Sequence, residues 1–435
     1  MTSPSKTPWR GPVARHTKLR SPGVPRQLLK GLGLALSAVL VATLGVGAYV
    51  YSDLMGSLNA NAVTLEGQDT EPPKVDVLPN EAVNIVVTGI DKCEEELLDD
   101  FGGRCTPELV EAQKDSFAGQ LNDVTMVVHI SPEPRRVTVI SIPRDMMTSR
   151  PECQAQDGTV QPAVQVAQFN EAYAVGGLPC VAKTAQELTG LPITHAAMMT
   201  WGGVIDITNA IGGVDVCVQE PIHDPDNTGL TLEAGPHTLV GIEALQFLRV
   251  RKSIGDGSDL SRIGNQQVYM GALVRKLVSE ETLGNVGRML RIAKATVENA
   301  TLSNGLTDPL AMVQIGGAAA GVPPEDYTFI QFPAVDYVGD TNRVAPDVAT
   351  WQMISDALEA NQSIQVGGEE PVDEEVPVEG EQPVEGEQPP ADESAEEAVP
   401  GEGEGEGDGT LRLPESVRGS SADQEVSCTP SAGLF

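Results

Sequence analysis

Asp123 to Asp145, DVTMVVHISPEPRRVTVISIPRD, contains two apolar runs rich in β-branched residues, Val124 to Ile130 and Val137 to Ile142, joined by SPEPRR. Two such runs around a Pro-containing turn predict paired strands. The first starts directly after Asn122-Asp123, and the second ends in Pro143-Arg144-Asp145. Charged groups therefore stand at the ends of neighbouring strands. Upstream, Asn84 to Ile90 (NIVVTGI) reads as a third strand and runs straight into Asp91.

Working outward, strand patterns recur at His195 to Thr200, Val214 to Val218 and Tyr327 to Phe332. Helical periodicity marks Val181 to Leu188, Val204 to Ile211, Ile242 to Leu248, Ile263 to Val278, Leu283 to Val297, Pro309 to Ala319 and Val348 to Ala360. Strands interspersed with helices predict an α/β fold, an α-β-α sandwich with a central mixed sheet covered on both faces. Residues 92–122, charged and Gly-containing, read as an insertion with one short helix.

The 435 residues carry a formal net charge of -34, unevenly spread. Residues 1–30 hold seven basic side chains and no acid, whereas residues 361–435 hold 20 Asp/Glu against 2 Arg. Gly31 to Tyr51, GLGLALSAVLVATLGVGAYVY, has no charge. As a helix it spans roughly 30 Å, the thickness of a bilayer core. It is longer than an ordinary signal-peptide apolar region and no clean small-x-small site closes it, which favours a retained anchor. The basic flank predicts a cytoplasmic N-terminus, hence a single-pass cell-membrane protein with everything after Ser52 outside. The expected organisation is a basic segment 1–30, a transmembrane helix 31–51, a spacer 52–80, a globular domain 81–362 and a disordered Pro/Glu/Gly-rich acidic tail 363–435. So acidic a body argues against nucleic acid as a partner.

The six cysteines lack C-x-x-C spacing, and an outside location permits disulfides. Proximity in sequence favours Cys93 with Cys105 and Cys153 with Cys180, although sequence alone does not fix the pairing. Cys217, within VDVCV, reads as a buried free thiol, and Cys428 has no obvious partner.

Ala244 to Gln267, ALQFLRVRKSIGDGSDLSRIGNQQ, concentrates positive charge in this acidic chain. If the backbone is extended there, Arg249 and Arg251 face the same way, and guanidiniums clamp phosphate oxygens in pairs. The competing reading is an exposed basic turn. Asp91 and Asp123, at strand ends, suit a shared Mg2+, a hard cation held by one or two carboxylates plus substrate phosphates. Each is also an ordinary turn or cap residue, and Arg144-Asp145 is also a structural ion pair. His195 and His223 form no metal-ligand pattern, the Gly-Gly pairs read as helix stops, and neither G-x-S-x-G nor H-E-x-x-H occurs.

In order, NIVVTGID, ND before an apolar strand, ISIPRD, FNEAYAVGG, DITNAIGGVDVCV, ALQFLRVR and SDLSRIGNQQ resemble the LytR-CpsA-Psr family, over about Glu81 to Glu280. The resemblance implies a phosphotransferase that moves a glycopolymer from a polyprenyl-diphosphate carrier to peptidoglycan through a phosphodiester, with Mg2+ on the diphosphate and an apolar pocket for the lipid. It implies metal carboxylates at Asp91 and Asp123, and diphosphate contacts from Arg144, Arg249, Arg251 and Arg262. Asp259 and Gln266 complete the pocket. Three positions depart from the family pattern: Leu121, Gln168 and Asn265 stand where a basic residue is common. The hydroxyl-activating base is open between Asp91, Asp259 and a substrate phosphate. A lipid-diphosphate hydrolase and a non-catalytic glycan-binding or regulatory protein are the alternatives.

Overall fold

A computed structural model describes residues 62–65, 81–101, 105–114, 116–117, 119–251, 253–254, 259–366, 410–414 and 416–421, with isolated residues before Gly56. By contacts the chain divides into Met1–Gly56 and Ser57–Phe435. The predicted span 31–51 lies, apart from isolated residues, outside the described residues. So does most of the predicted tail.

The elements that position the site are, in order, β1 (Val83–Ile90), α1 (Leu98–Phe101), α2 (Pro107–Gln113), β2 (Asn122–Ile130), β3 (Val137–Ile142), α3 (Ala172–Thr189), β4 (His195–Met199), α4 (Trp201–Ile211), α5 (Ile242–Arg249), α6 (Asp259–Val278), α7 (Val286–Asn299), β5 (Ala300–Leu302), α8 (Pro309–Ala320), β6 (Tyr327–Gln331), α9 (Val348–Glu359) and β7 (Gly419–Ser421). Seven strands form one sheet in the order β5-β4-β1-β2-β3-β6-β7. The β1-β2 and β2-β3 pairs are antiparallel, whereas β1-β4 and β3-β6 are parallel. The sheet is therefore mixed.

Alternation along β6 shows how both faces are covered. Ile330 joins Val86, Val127 and Ile140 in a core with Val181 of α3 and Trp351 and Ile354 of α9. Its neighbour Phe329 points the other way, toward α6 at Gly271. Each face thus buries apolar area against helices, the dominant stabilising term.

One strand lies apart from the central sheet, and two expectations change. Val214–Val218 is a strand but pairs with Gly235–Leu239 in a separate ribbon, beside a second core of Ile211, Phe247 and Tyr269. Cys217 is not a free thiol: it is half-buried and disulfide-bonded, its partner lying outside the described residues. A strand residue facing away from its own core leaves its sulfur accessible to a partner. The tail expected to be disordered from 363 contributes Ser363–Gln365, paired in parallel with Thr410–Arg412, and β7, paired with β6. The segment 410–421 escapes the Glu/Gly repeat, and its Leu413 and Val417 are buried in the main core. Gly419 allows the close approach, since a Cβ there would lie 2.5 Å from the Phe329 carbonyl oxygen.

The residues 92–122 are held by Cys93–Cys105, with an S–S distance of 2.01 Å, and Cys153–Cys180 bridges at 2.06 Å. Both match the favoured pairs. Non-reducing peptide mapping should return these two links and no alkylatable thiol at Cys217.

His129 and His195 are buried beside β1. Asn84 Nδ2 donates to the Pro192 carbonyl at 3.0 Å, which leaves Asn84 Oδ1 to accept from His129 Nδ1 at 2.7 Å. Burial pushes both imidazoles down from 6.5 to about 4. The unfolded chain takes up protons near 6.5 that the folded chain refuses until about 4, so stability is lost as pH falls across that window. Each histidine contributes up to about 3 kcal/mol of this loss. Denaturant titrations between pH 7 and pH 4 should show the decline, and His129→Asn should reduce it by roughly half.

Candidate active site

The β1-β2 register shifts between Gly89 and Ile90, so Ile90 faces Asn122 and Asp91 emerges opposite Leu121. Asp91 N–H donates to the Leu121 carbonyl at 3.2 Å, and Leu121 N–H donates to Asp91 Oδ1 at 2.9 Å. The carboxylate of Asp91 is thereby fixed one residue short of Asn122-Asp123. The departure at Leu121 has this backbone role, which any side chain supports.

Asp123 is a junction. Its Oδ1 accepts from Arg144 Nη1 at 3.1 Å, just past the end of β3, and its carbonyl accepts from Arg262 Nη2 on α6 at 3.0 Å. Three segments distant in sequence therefore meet at one end of the sheet. Arg262 is only 7% exposed, so its fixed charge faces a weakly solvating environment, where electrostatic interactions are stronger. Arg144 Nε also lies 3.5 Å from Asp145 Oδ2. Asp145 Oδ1 accepts from Gln168 Nε2 at 2.6 Å and from Arg343 Nη1 at 2.9 Å. Gln168, where the family pattern has a basic residue, thus keeps a polar contact to Asp145, and Arg343 supplies a cation from far along the chain.

Behind Asp123 lies a buried asparagine pair. Asn122 Oδ1 accepts from Tyr173 N–H at 3.1 Å, and Asn170 N–H donates to the Arg144 carbonyl at 3.2 Å. Asn170 is 4% exposed and its Oδ1 has no hydrogen-bond partner among the described residues. An unsatisfied buried acceptor is costly and marks a place where a ligand can complete the shell.

The Arg249-Arg251 segment departs from the extended reading. Helix α5 ends at Arg249, and Val250 after it is extended, with φ -59° and ψ 136°. The helical pattern of ALQFLR overrides the alternation on which a strand would depend. The guanidinium of Arg249 instead lies 4.6 Å from the ring centroids of both Phe101 and Trp201, which are themselves 4.3 Å apart. Two aromatic faces orient the cation. Phe101 belongs to the disulfide-held insertion and Trp201 to the start of α4, two contributions that no local pattern reveals. Arg251 follows outside regular structure. Asp259 opens α6, and its side chain lies outside the described residues.

Helix α6 ties these parts together. Gln266, one turn after Arg262, donates from Nε2 to the Leu248 carbonyl at 3.2 Å, next to Arg249. The buried amide nitrogens Asn265 Nδ2 and Gln267 Nε2 have no partner among the described residues. Asn265 also borders a cavity of about 240 Å³, mainly apolar through Val218, Ile222, Phe247, Ile254 and Val268, with the polar Gln219, Glu220 and Ser253 also on its wall. Polar donors stand beside an apolar hollow, the combination a lipid-linked anion requires.

Relatives share much of this chain. The cell wall biosynthesis protein LcpB of Corynebacterium glutamicum, named as probable, is 32% identical over 184 residues, which is 42% of this chain and 41% of LcpB. The polyisoprenyl-teichoic acid--peptidoglycan teichoic acid transferase TagU of Halalkalibacterium halodurans is 24% identical over 61% of this chain and 77% of its own. A crystal structure of the Streptococcus agalactiae protein gbs0355 superposes with a TM-score of 0.50 at 19% identity, over 64% of this chain and 87% of that one, and so shares the fold. Residues 48–365, well over half of the chain, match the LytR_cpsA_psr model, and the chain belongs to the LytR-CpsA-Psr family.

Proposed function

We propose that this chain transfers a glycopolymer from a polyprenyl-diphosphate carrier to peptidoglycan, leaving a phosphodiester link. The observation that carries the reading is the junction at Asp123, where Arg144 and Arg262 converge. The acceptor hydroxyl oxygen attacks the phosphorus next to the glycan. A P–O bond forms, the P–O bond to the lipid phosphate breaks, and polyprenyl monophosphate leaves with the hydroxyl proton, passed directly or through Asp91. Arginines placed to meet charge on the transferring and leaving oxygens supply the electrostatic stabilisation on which phosphoryl transfer depends.

In this reading Arg144, Arg249, Arg251 and Arg262 hold the diphosphate, and the unpartnered amides of Asn265 and Gln267 add donors. The cavity beside Asn265 takes the first isoprenoid units. The donor set also suits Mg2+: Asp91 and Asp123 offer hard carboxylate oxygens, and Asn170 Oδ1 is a buried oxygen without a hydrogen-bond partner among the described residues. The cation would neutralise charge on the diphosphate. A single anchor at 31–51 with the catalytic domain 81–362 outside the membrane brings the site to both substrates, and two disulfides suit an oxidising compartment.

The test is turnover of a synthetic polyprenyl-diphosphate glycan by the full chain in detergent, with a soluble peptidoglycan fragment and magnesium. Lipid monophosphate should be released together with a phosphodiester-linked product, and Arg249→Ala should lower kcat/KM by roughly two orders of magnitude. Phe101→Leu, which removes one face of the aromatic clamp, should cost about 1 kcal/mol, a roughly fivefold fall. Tight donor binding without release would point instead to a glycan-binding protein. Release without a linked product would point to a hydrolase.

A further inference from the structure

A second cleft, of about 460 Å³, lies beside the reaction site. Its walls are Ser116 and Phe117, residues Gln156, Asp157, Thr159 and Gln161 of a hairpin that pairs Cys153–Gln154 with Val160–Gln161, and Ala174 and Val175 of α3. Its volume falls in the range of ligand-binding clefts. The position follows from contacts already described. Ala174 adjoins Tyr173, whose N–H bonds Asn122 Oδ1 at 3.1 Å, so this wall stands within roughly 10 Å of Asp123. On the opposite side the chain runs from Phe117 through Gln120, whose N–H donates to the Phe117 carbonyl at 3.0 Å, into Asn122-Asp123.

The floor is built rather than incidental. Helix α3 breaks at Gly176-Gly177, where Gly177 adopts φ 62° and ψ -157°. A Cβ on Gly177 would lie 2.8 Å from the Phe117 ring, so the ring sits directly on backbone. The disulfide Cys153–Cys180 fixes the hairpin to the same helix. Phe117 also meets Tyr173 edge-on, with ring centroids 5.3 Å apart.

The lining chemistry differs from that of the arginine site. No lining residue is basic, and Asp157 is the one ionisable group among them. Asp157 Oδ1 accepts from the Thr159 hydroxyl at 2.6 Å and from its N–H at 2.9 Å. Those bonds hold its carboxyl below the ordinary value. A phosphate has nothing to pair with here. Amides, hydroxyls and a carboxylate around an aromatic ring offer instead both donors and acceptors for a neutral polyol, with an apolar surface for its C–H face.

We propose that this cleft is the acceptor subsite, holding a neutral stretch of N-acetylated glycan so that its hydroxyl reaches the phosphorus at the Asp123 junction. The assignment rests on the phosphotransfer reading above. The donor carries sugars as well, so the shared chemistry is a glycan, and the experiment separates its two sources.

With the full chain and the polyprenyl-diphosphate glycan, the ratio of donor transferred to a peptidoglycan fragment against donor lost to water is measured at fixed acceptor concentration. In Asp157→Ala/Gln161→Ala, and in Thr159→Trp, which fills the cleft from its exposed rim, that ratio should fall at least tenfold. An unchanged ratio would overturn the assignment. An unchanged ratio with slowed release and raised donor KM would place the donor's own sugars in the cleft, and overturns it equally. Independently of turnover, an N-acetylglucosamine tetramer titrated by NMR should bind the wild-type chain saturably and the double variant at least tenfold more weakly. Absence of saturable binding to the wild type, or equal binding to both, refutes the subsite. If the wild type releases no lipid phosphate, the phosphotransfer reading fails and the titration still decides the cleft.

Discussion

Asp123 carries the geometry of the site. Its carboxylate holds Arg144, beyond β3, and its backbone carbonyl holds Arg262 on α6. Charge-assisted bonds of this kind are stronger than neutral ones, and both here are partly shielded from solvent. The arginines are oriented by the strand end itself. Asp145 extends the network to Arg343 and Gln168, so Arg144 is balanced by two carboxylates. Arg262 adds a second guanidinium, held through a backbone carbonyl. Two guanidiniums pre-ordered in a poorly solvated place suit a dianionic group.

The Arg249 cation is held by a different means. Phe101 and Trp201 approach its guanidinium at equal distance, and Phe101 is brought there by an insertion closed by Cys93–Cys105. The insertion packs Leu97, Leu98 and Phe101 against Trp201 and Leu245 in a small core of its own. The disulfide therefore stabilises a side chain's surroundings as well as a loop. Aromatic faces attract a cation through the ring quadrupole, and so orient the guanidinium.

Much of this was legible locally. The runs Val124 to Ile130 and Val137 to Ile142 fall within β2 and β3, because β-branched apolar runs and a Pro-rich turn encode them within a few residues. Asp91, Asp123 and Arg144 stand at strand ends that can be counted directly. What sequence did not disclose depends on long separations. Phe101, Trp201 and Arg249 meet across loops with no periodic signal, and Arg343 reaches Asp145 from 198 residues away. Cys217 was misread because a strand pattern conceals which face a thiol takes. The break at Gly176-Gly177 was legible as a pair of glycines, whereas its part in seating Phe117 was not. The strand β7 was hidden by the acidic repeat before it, since composition averaged over the tail masks Leu413 and Val417.

The most direct test of the junction is equilibrium binding of geranyl diphosphate to the full chain by titration calorimetry, with and without magnesium, in wild type and Asp123→Asn. If Asp123 joins cation and arginines around a diphosphate, magnesium should tighten wild-type binding at least tenfold, about 1.4 kcal/mol, and leave the variant's binding unimproved. An equal magnesium effect in both proteins would contradict the account.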